Sequence, residues 1–435
     1  MKIDVDSFIK DYSNSTKGIN DAIKYLNANG GGTLVFKSNK IYISGMIKLL
    51  DNIELHFEKN SMLKASNNLS DFNCLDNKEF EEITIPTYKD CSYDGRPTKF
   101  FIYGKNINNI KITGSGIIDG NEEIFYGKQN DHHIDGKFYP RVPLIYLEGC
   151  NKFEFNKINI QRSGFWTIHL IGCSNGLIDG ISIKNNRKFA CTDGIDPDHS
   201  KNIIIRNCYI ESADDCVVFK TTENNMEYGD TENILVENCE FKTTSAAIKF
   251  GSETCGDIHD IRVRNIKISD TNRGISFQLR DMGNIYNISF ENIDMETKRF
   301  HPLEWWGKGE PIFISQVRRK EEIKTGYIKN VLFKDINITS ENGIFIYGEN
   351  NISNIKFEDI NMELKGMTNF ERGNHDLRPF YKDMYLVEGL ADGIYIFGAN
   401  NIEIKDYNLS VNKNFKNDFG KRINAIDVYQ LSIDK

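Results

Sequence analysis

The chain predicts a parallel β-helix, an all-β, single-stranded solenoid with one capping helix at its N-terminal end. Three observations carry this. A phrase of one polar residue followed by alternating apolar positions starts at Asn109, Asn151, Asn175, Asn202, Asn233, Asp260, Asn287, Asn330, Asn354 and Asn401. From Asn175 to Asn287 its steps are 27, 31, 27 and 27 residues, too short for strand–helix–strand units. An amphipathic stretch precedes the first strand.

In chain order, Ile19, Ala22, Ile23 and Leu26 recur at i, i+3, i+4 and i+7 and are closed by Asn29-Gly30-Gly31-Gly32. That is a helix with one apolar stripe and a glycine stop. Ahead of the strand Thr33–Phe36, it is placed to cover an open sheet edge, which each end of a β-helix exposes. The repeated phrase has period-2 alternation, β-branched residues and Gly, Asn and Asp turns. One such coil cannot bury its own apolar side, whereas stacked coils share a core. Ile203, Ile234, Ile261 and Ile288 hold one phase and are expected to stack inside; Cys208 and Cys239 also match in phase and are expected to be buried. Later steps of 43, 24 and 47 residues leave room for loops, and 76–99 and 366–386 are the least repetitive stretches. The expected organisation is one domain over 1–435, with a cap over 1–32, coils from about 33 to 410 and a cap or tail over 411–435.

Composition excludes several functions. With 435 residues, 39% hydrophobic and 27% charged, the chain can bury a sizeable core. A net charge of −8 lacks the basic surface that nucleic-acid binding needs. No apolar run reaches the about 18 residues of a membrane helix, and the first residues form no apolar leader. This predicts a soluble, cytoplasmic protein; a leader removed beforehand would leave the same sequence. Nine cysteines with no Cys-x-x-Cys pair point to reduced thiols instead of a zinc site or disulfide framework. No cofactor or metal is expected, and oligomeric state is not legible.

The chemistry is expected in the middle coils. Asp193, Asp196 and Asp198 are followed by Asp214 and Asp215, and Asp193 precedes Asp214 by 21 residues, about one coil. Positions one coil apart lie roughly 5 Å apart, so Asp193, Asp214 and Asp215 are expected to converge. Like charges so close raise at least one carboxyl pKa, and a proton-holding acid beside ionised carboxylates is what glycosidic cleavage requires. Acidic turn clusters also bind calcium, and the alternative reading of Asp196 and Asp198 is that they simply make Asx turns.

Thr192-Asp193-Gly194-Ile195-Asp196 and Asp214-Asp215-Cys216 resemble the first two signature motifs of polygalacturonase-type glycoside hydrolases, family 28. Gly116–Gly120, Arg141–Ile145 and Phe165–His169 are further echoes. The resemblance covers roughly residues 30 to 350 and implies a right-handed parallel β-helix and a single displacement that inverts anomeric configuration. It implies that Asp214 is the general acid and that Asp193 and Asp215 position and deprotonate the attacking water. An inverting pair would stand about 6.5–9.5 Å apart.

The chain departs from the family where the sugar is held. The third motif, Gly-His-Gly, is here Ser245-Ala246-Ala247, and the fourth, Arg-Ile-Lys, is Ser276-Phe277-Gln278 with Arg280 beyond. Alternation points Lys249 outward between inward Ile248 and Phe250, and puts Ser276, Gln278 and Arg280 on one face. Lys220, Lys249, Glu253, Gln278, Arg280 and Trp306 are the expected substrate-binding residues. Trp305-Trp306 is either a pyranose platform or a loop over its own aromatic core. Arg318 and Arg319 are expected as a solvated surface pair, with bidentate binding of a carboxylate as the alternative, and His132, His133, His169 and His199 in structural or surface roles.

The expected activity is inverting, exo-acting hydrolysis of pectin-type, uronic-acid-containing oligo- or polysaccharide. The alternatives are a polysaccharide lyase on the same fold and a non-catalytic carbohydrate-binding β-helix.

Overall fold

The computed structural model describes residues 1–72, 97–302 and 305–434. Most of the expected loop 76–99, and Leu303 and Glu304, lie outside the described residues. Those described form two compact units, one running up to Ala213 and the other from Asp214 onward. Each is a stack of parallel coils.

In the first unit, the helix α1 (Thr16–Ala28) buries Gly18 and the expected stripe of Ile19, Ala22, Ile23 and Leu26. Its end is closed by Gly31 N donating to Leu26 O at 2.9 Å, with Gly30 in the left-handed region at φ +86°. Beyond the helix, three sets of parallel strands stack. Asn108–Gly114, Asn151–Asn156, Ser174–Asp179 and Lys201–Arg206 form one. A second is made by Ile102–Lys105, Ile145–Glu148, Ile168–Ile171 and Ile195–Asp198. A third contains Ile117–Asp119, Asn159–Gln161, Ser182–Lys184 and Tyr209–Ser212. Ile102, Ile145, Ile168 and Ile195 stack inward, with none of their surface exposed.

The second unit repeats the plan with longer strands. Thr231–Thr254, Ile258–Leu279 and Ile285–Thr297 pair in register, so that Ile234, Ile261 and Ile288 form the expected interior column, which Val331, Ile355 and Ile402 continue. Phe290, Phe333 and Phe357 stack beside it at 5.0 Å centroid spacing. Cys208 and Cys239 are both buried, each in its own unit. Past Val411, Ile423–Ile426 and Tyr429–Asp434 add further parallel strands against Ile394–Val411.

The polar residue that opens the phrase has a conformational task. Asn109, Asn175, Asn202, Asn233, Asp260, Asn287, Asn330, Asn354 and Asn401 all have positive φ, between 50° and 58°. Asn and Asp tolerate this region because their short side chains bond locally. Amides also bridge the coils, as from Asn401 Nδ2 to Asn354 Oδ1 at 2.8 Å. Asn151 is an exception. Register places Lys152, at φ +60°, on the left-handed position of that coil, while Asn151 accepts from Asn175 Nδ2 at 2.7 Å.

Candidate active site

In the second unit, Asp214 and Asp215 lie just before the strand Val217–Thr221, and their carboxylates approach within 4.8 Å. Facing them is the middle of the strand Thr231–Thr254. Its register against Ile258–Leu279 shifts at Thr243–Ala246, a bulge that re-aims side chains. Three donors of this strand reach Asp215, which is completely buried. Ser245 Oγ and Ala246 N donate to Asp215 Oδ1 at 2.8 and 3.1 Å, and Lys249 Nζ donates to Oδ2 at 2.7 Å. Donors on both oxygens, one of them cationic, are the pattern that serves a charged carboxylate.

Asp214 is only half-buried. Its Oδ1 accepts from Asp215 N at 3.0 Å, and its main-chain oxygen from Thr243 Oγ1 at 2.5 Å. One aspartate of the pair is therefore enclosed and the other more open. One oxygen of each carboxylate lies within 4.8 Å of the other, as consecutive residues allow.

Lys249 was expected to point out toward substrate. Ile248 and Phe250 do anchor in the core, but the ammonium turns onto Asp215 and its side chain is only 17% exposed. Burial pulls the Lys249 pKa down and Lys220 opposes the charge, yet Asp215 and Asp214 outweigh both, so the net displacement is upward. Lys220 and Glu253 are both nearly buried.

Two other expected ligands are used internally. Gln278 is 2% exposed and gives its amide Nε2 to Arg378 O at 3.0 Å. Arg280 is fully buried and donates to Ser315 O, Ser315 Oγ and Leu377 O. Burial, with the charges of Arg319 and Arg273, holds its pKa below the ordinary arginine range. The cause is the segment 366–390, which folds over the outward face of these coils and packs Leu377 on Phe313 and Phe345. Trp305 is buried; Trp306 is half-buried, with the Arg378 guanidinium 5.1 Å from its ring centre. Arg319 is not a surface residue: it is buried and chelates Asp281 at 3.0 and 3.2 Å.

The first unit contains Asp193, 3% exposed, directly before the strand Ile195–Asp198. The bend before it is tied by Asn185, whose Nδ2 reaches Thr167 Oγ1 at 2.8 Å and Thr192 O at 3.0 Å. Asp196 and Asp198 are not turn residues; both lie within that strand and are fully buried. The proline between them did not prevent pairing, since Pro197 lies level with Leu170. Sequence reading missed the role of Asp198: its Oδ2 lies 3.2 Å from His169 Nε2, and its Oδ1 lies 3.8 Å from His199 Nε2. The register sets His169 beside Asp196, and Asp198 stands two residues further along the same face.

A β-helix that buries one aspartate under a lysine, a hydroxyl and an amide, beside a more open aspartate, belongs to the class of solenoids equipped for carboxylate chemistry. The profile of Glycosyl hydrolases family 28 matches residues 52–376, and the chain belongs to that family. Its fold is the right-handed parallel β-helix that the repeats and motifs led us to expect. A probable polygalacturonase of Vitis vinifera is 29% identical over 252 residues, 56% of this chain and 49% of that protein. The endo-polygalacturonase of Pectobacterium carotovorum subsp. carotovorum is 28% identical over 262 residues, 57% of this chain and 60% of that protein. The chain thus spans about half the length of the curated relatives it matches. An exopolygalacturonase from Thermotoga maritima superposes with TM-score 0.65 at 20% identity, over 84% of this chain and 87% of that one. Among the described residues, no helix is long and apolar enough to cross a membrane.

Proposed function

We propose that the chain is a polygalacturonase-like glycoside hydrolase that cleaves bonds in uronic-acid-containing oligo- or polysaccharide. The observation that carries this is the unequal pair: Asp215 enclosed by Lys249, Ser245 and Ala246, and Asp214 half-buried beside it. In this reading Asp214 gives its proton to the glycosidic oxygen as the anomeric C–O bond breaks. A water attacks the same carbon and yields a proton to Asp215, with Asp193 as the second water-holding carboxylate. The role of Asp193 rests on its one-coil spacing from Asp214 and on the family motif.

Inversion of the anomeric centre is supported by the family resemblance and not by the Asp214–Asp215 spacing. Exo action is supported by the segment 366–390, which covers the outward face of the C-terminal coils and so shortens the length available to a polymer. The names of the relatives include both modes. Polygalacturonate viscometry against reducing-end release tests it: exo action liberates reducing ends with little early loss of viscosity, whereas a rapid viscosity drop contradicts it. A cytoplasmic location is supported by the described cysteines, all unbridged and most of them buried, and cell fractionation is its test.

A further inference from the structure

We infer that Lys249 is a positioning residue for hydrolysis, acting through Asp215 and not through the sugar. This rests on the hydrolase reading above and assigns Lys249 a task within it. Three features of the second unit carry it. The Nζ–Oδ2 distance of 2.7 Å is that of a charge-assisted hydrogen bond, and it leaves the ammonium committed to Asp215. Asp215 Oδ1 is occupied from the same strand by Ser245 and Ala246, so a five-residue stretch defines the orientation of the carboxylate. The backbone of that stretch is itself pinned, because Ala247, Ile248 and Phe250 are wholly buried.

The charged groups around Lys249 specify what it does. Asp215 and Asp214 attract its ammonium and Lys220 repels it, while burial of the side chain strengthens each of these interactions. Val218 and Ser276, its neighbours on the flanking strands, carry no charge. Lys249 is therefore a fixed cation paired with Asp215. It keeps that carboxylate aimed through the 2.7 Å hydrogen bond to Oδ2. A lysine that bound the sugar carboxylate would instead have its ammonium turned to the groove, and its loss would act on KM.

The test uses the full chain with oligogalacturonides as probe, comparing Lys249→Met, Lys249→Gln and Lys249→Arg with wild type. Loss of the cation is expected to lower kcat about 10²-fold, within the range of general-base contributions, with KM nearly unchanged. The acid limb of kcat/KM should move to higher pH, the direction expected on removing a neighbouring opposite charge. Lys249→Arg should restore most of the rate and the profile. A loss confined to KM, or a kcat loss with an unmoved pH profile, overturns the proposal. A second readout needs no turnover: with ¹³Cε-labelled lysine, Lys249 should titrate lower in Asp215→Asn than in wild type, and an unchanged titration also overturns it. If wild type leaves the probe intact while the Lys249 titration responds to Asp215→Asn, the hydrolase reading fails and the Lys249–Asp215 coupling stands.

Discussion

Arg280 donates from its guanidinium to the carbonyl of Leu377 at 2.9 Å, across 97 residues of chain. The same guanidinium holds Ser315, and two residues earlier Gln278 holds Arg378 O at 3.0 Å. The segment 366–390 is thus fastened to the coils by the very side chains that the sequence offered as sugar ligands. Arg280→Met should destabilise the protein, since each buried carbonyl left without a donor costs about 1–3 kcal/mol. Limited proteolysis should then cut first within 366–390. A variant with wild-type stability and a raised KM would return Arg280 to substrate binding.

Glu310 gives the acid side of the stability profile. Burial alone would push its pKa up, but Arg273 at 3.1 Å, His375 at 3.1 Å and the amide of Lys308 hold it well below the usual carboxylate range. For a carboxylate depressed in the folded state, the stabilisation is complete above its unfolded pKa. It is lost as pH falls toward the folded value. Glu310→Gln should cost about 3–5 kcal/mol at pH 7, because Arg273 is left buried with its partner neutralised. In urea melts at descending pH, the gap between wild type and variant should narrow below about pH 4.5. A gap that is constant with pH would contradict this.

Lys152 offers a stabilising change. It occupies, at φ +60°, the position that Asn109 and Asn175 fill in the adjacent coils. An ordinary L-residue there carries about 1–2 kcal/mol of strain, which asparagine largely escapes. Lys152→Asn should therefore raise the unfolding free energy by about 1 kcal/mol, and Asn287→Val should lower it by a similar amount. Denaturant melts decide both.

Much of the fold was legible because it is local and periodic. Asn233, Asp260 and Asn287 mark a backbone conformation, and the isoleucine after each marks the core. The helix stripe from Ile19 to Leu26 was readable for the same reason. Lys152 was missed because a lysine does not announce a left-handed φ; only the register does. At the site, alternation correctly sent Lys249, Gln278 and Arg280 out of the core. It could not say what lies outside. That depended on Asp376, Leu377 and Arg378, about a hundred residues later, which return as an irregular segment without periodicity. The turn assignment of Asp196 and Asp198 failed because their strand is short and fully buried, and because Asp and Pro suggest turns wherever they occur together.

If Asp214, the more open of two adjacent aspartates, donates the proton that releases the glycosidic oxygen, hydrolysis should depend on its carboxyl group. The measurement is reducing-end release from oligogalacturonides by wild type and by Asp214→Asn, with folding checked by thermal melts. The substitution keeps shape and removes proton donation, so the rate should fall by about 10²–10⁴-fold while the melt is little changed. An Asp214→Asn protein that hydrolyses the substrate near the wild-type rate would contradict the account.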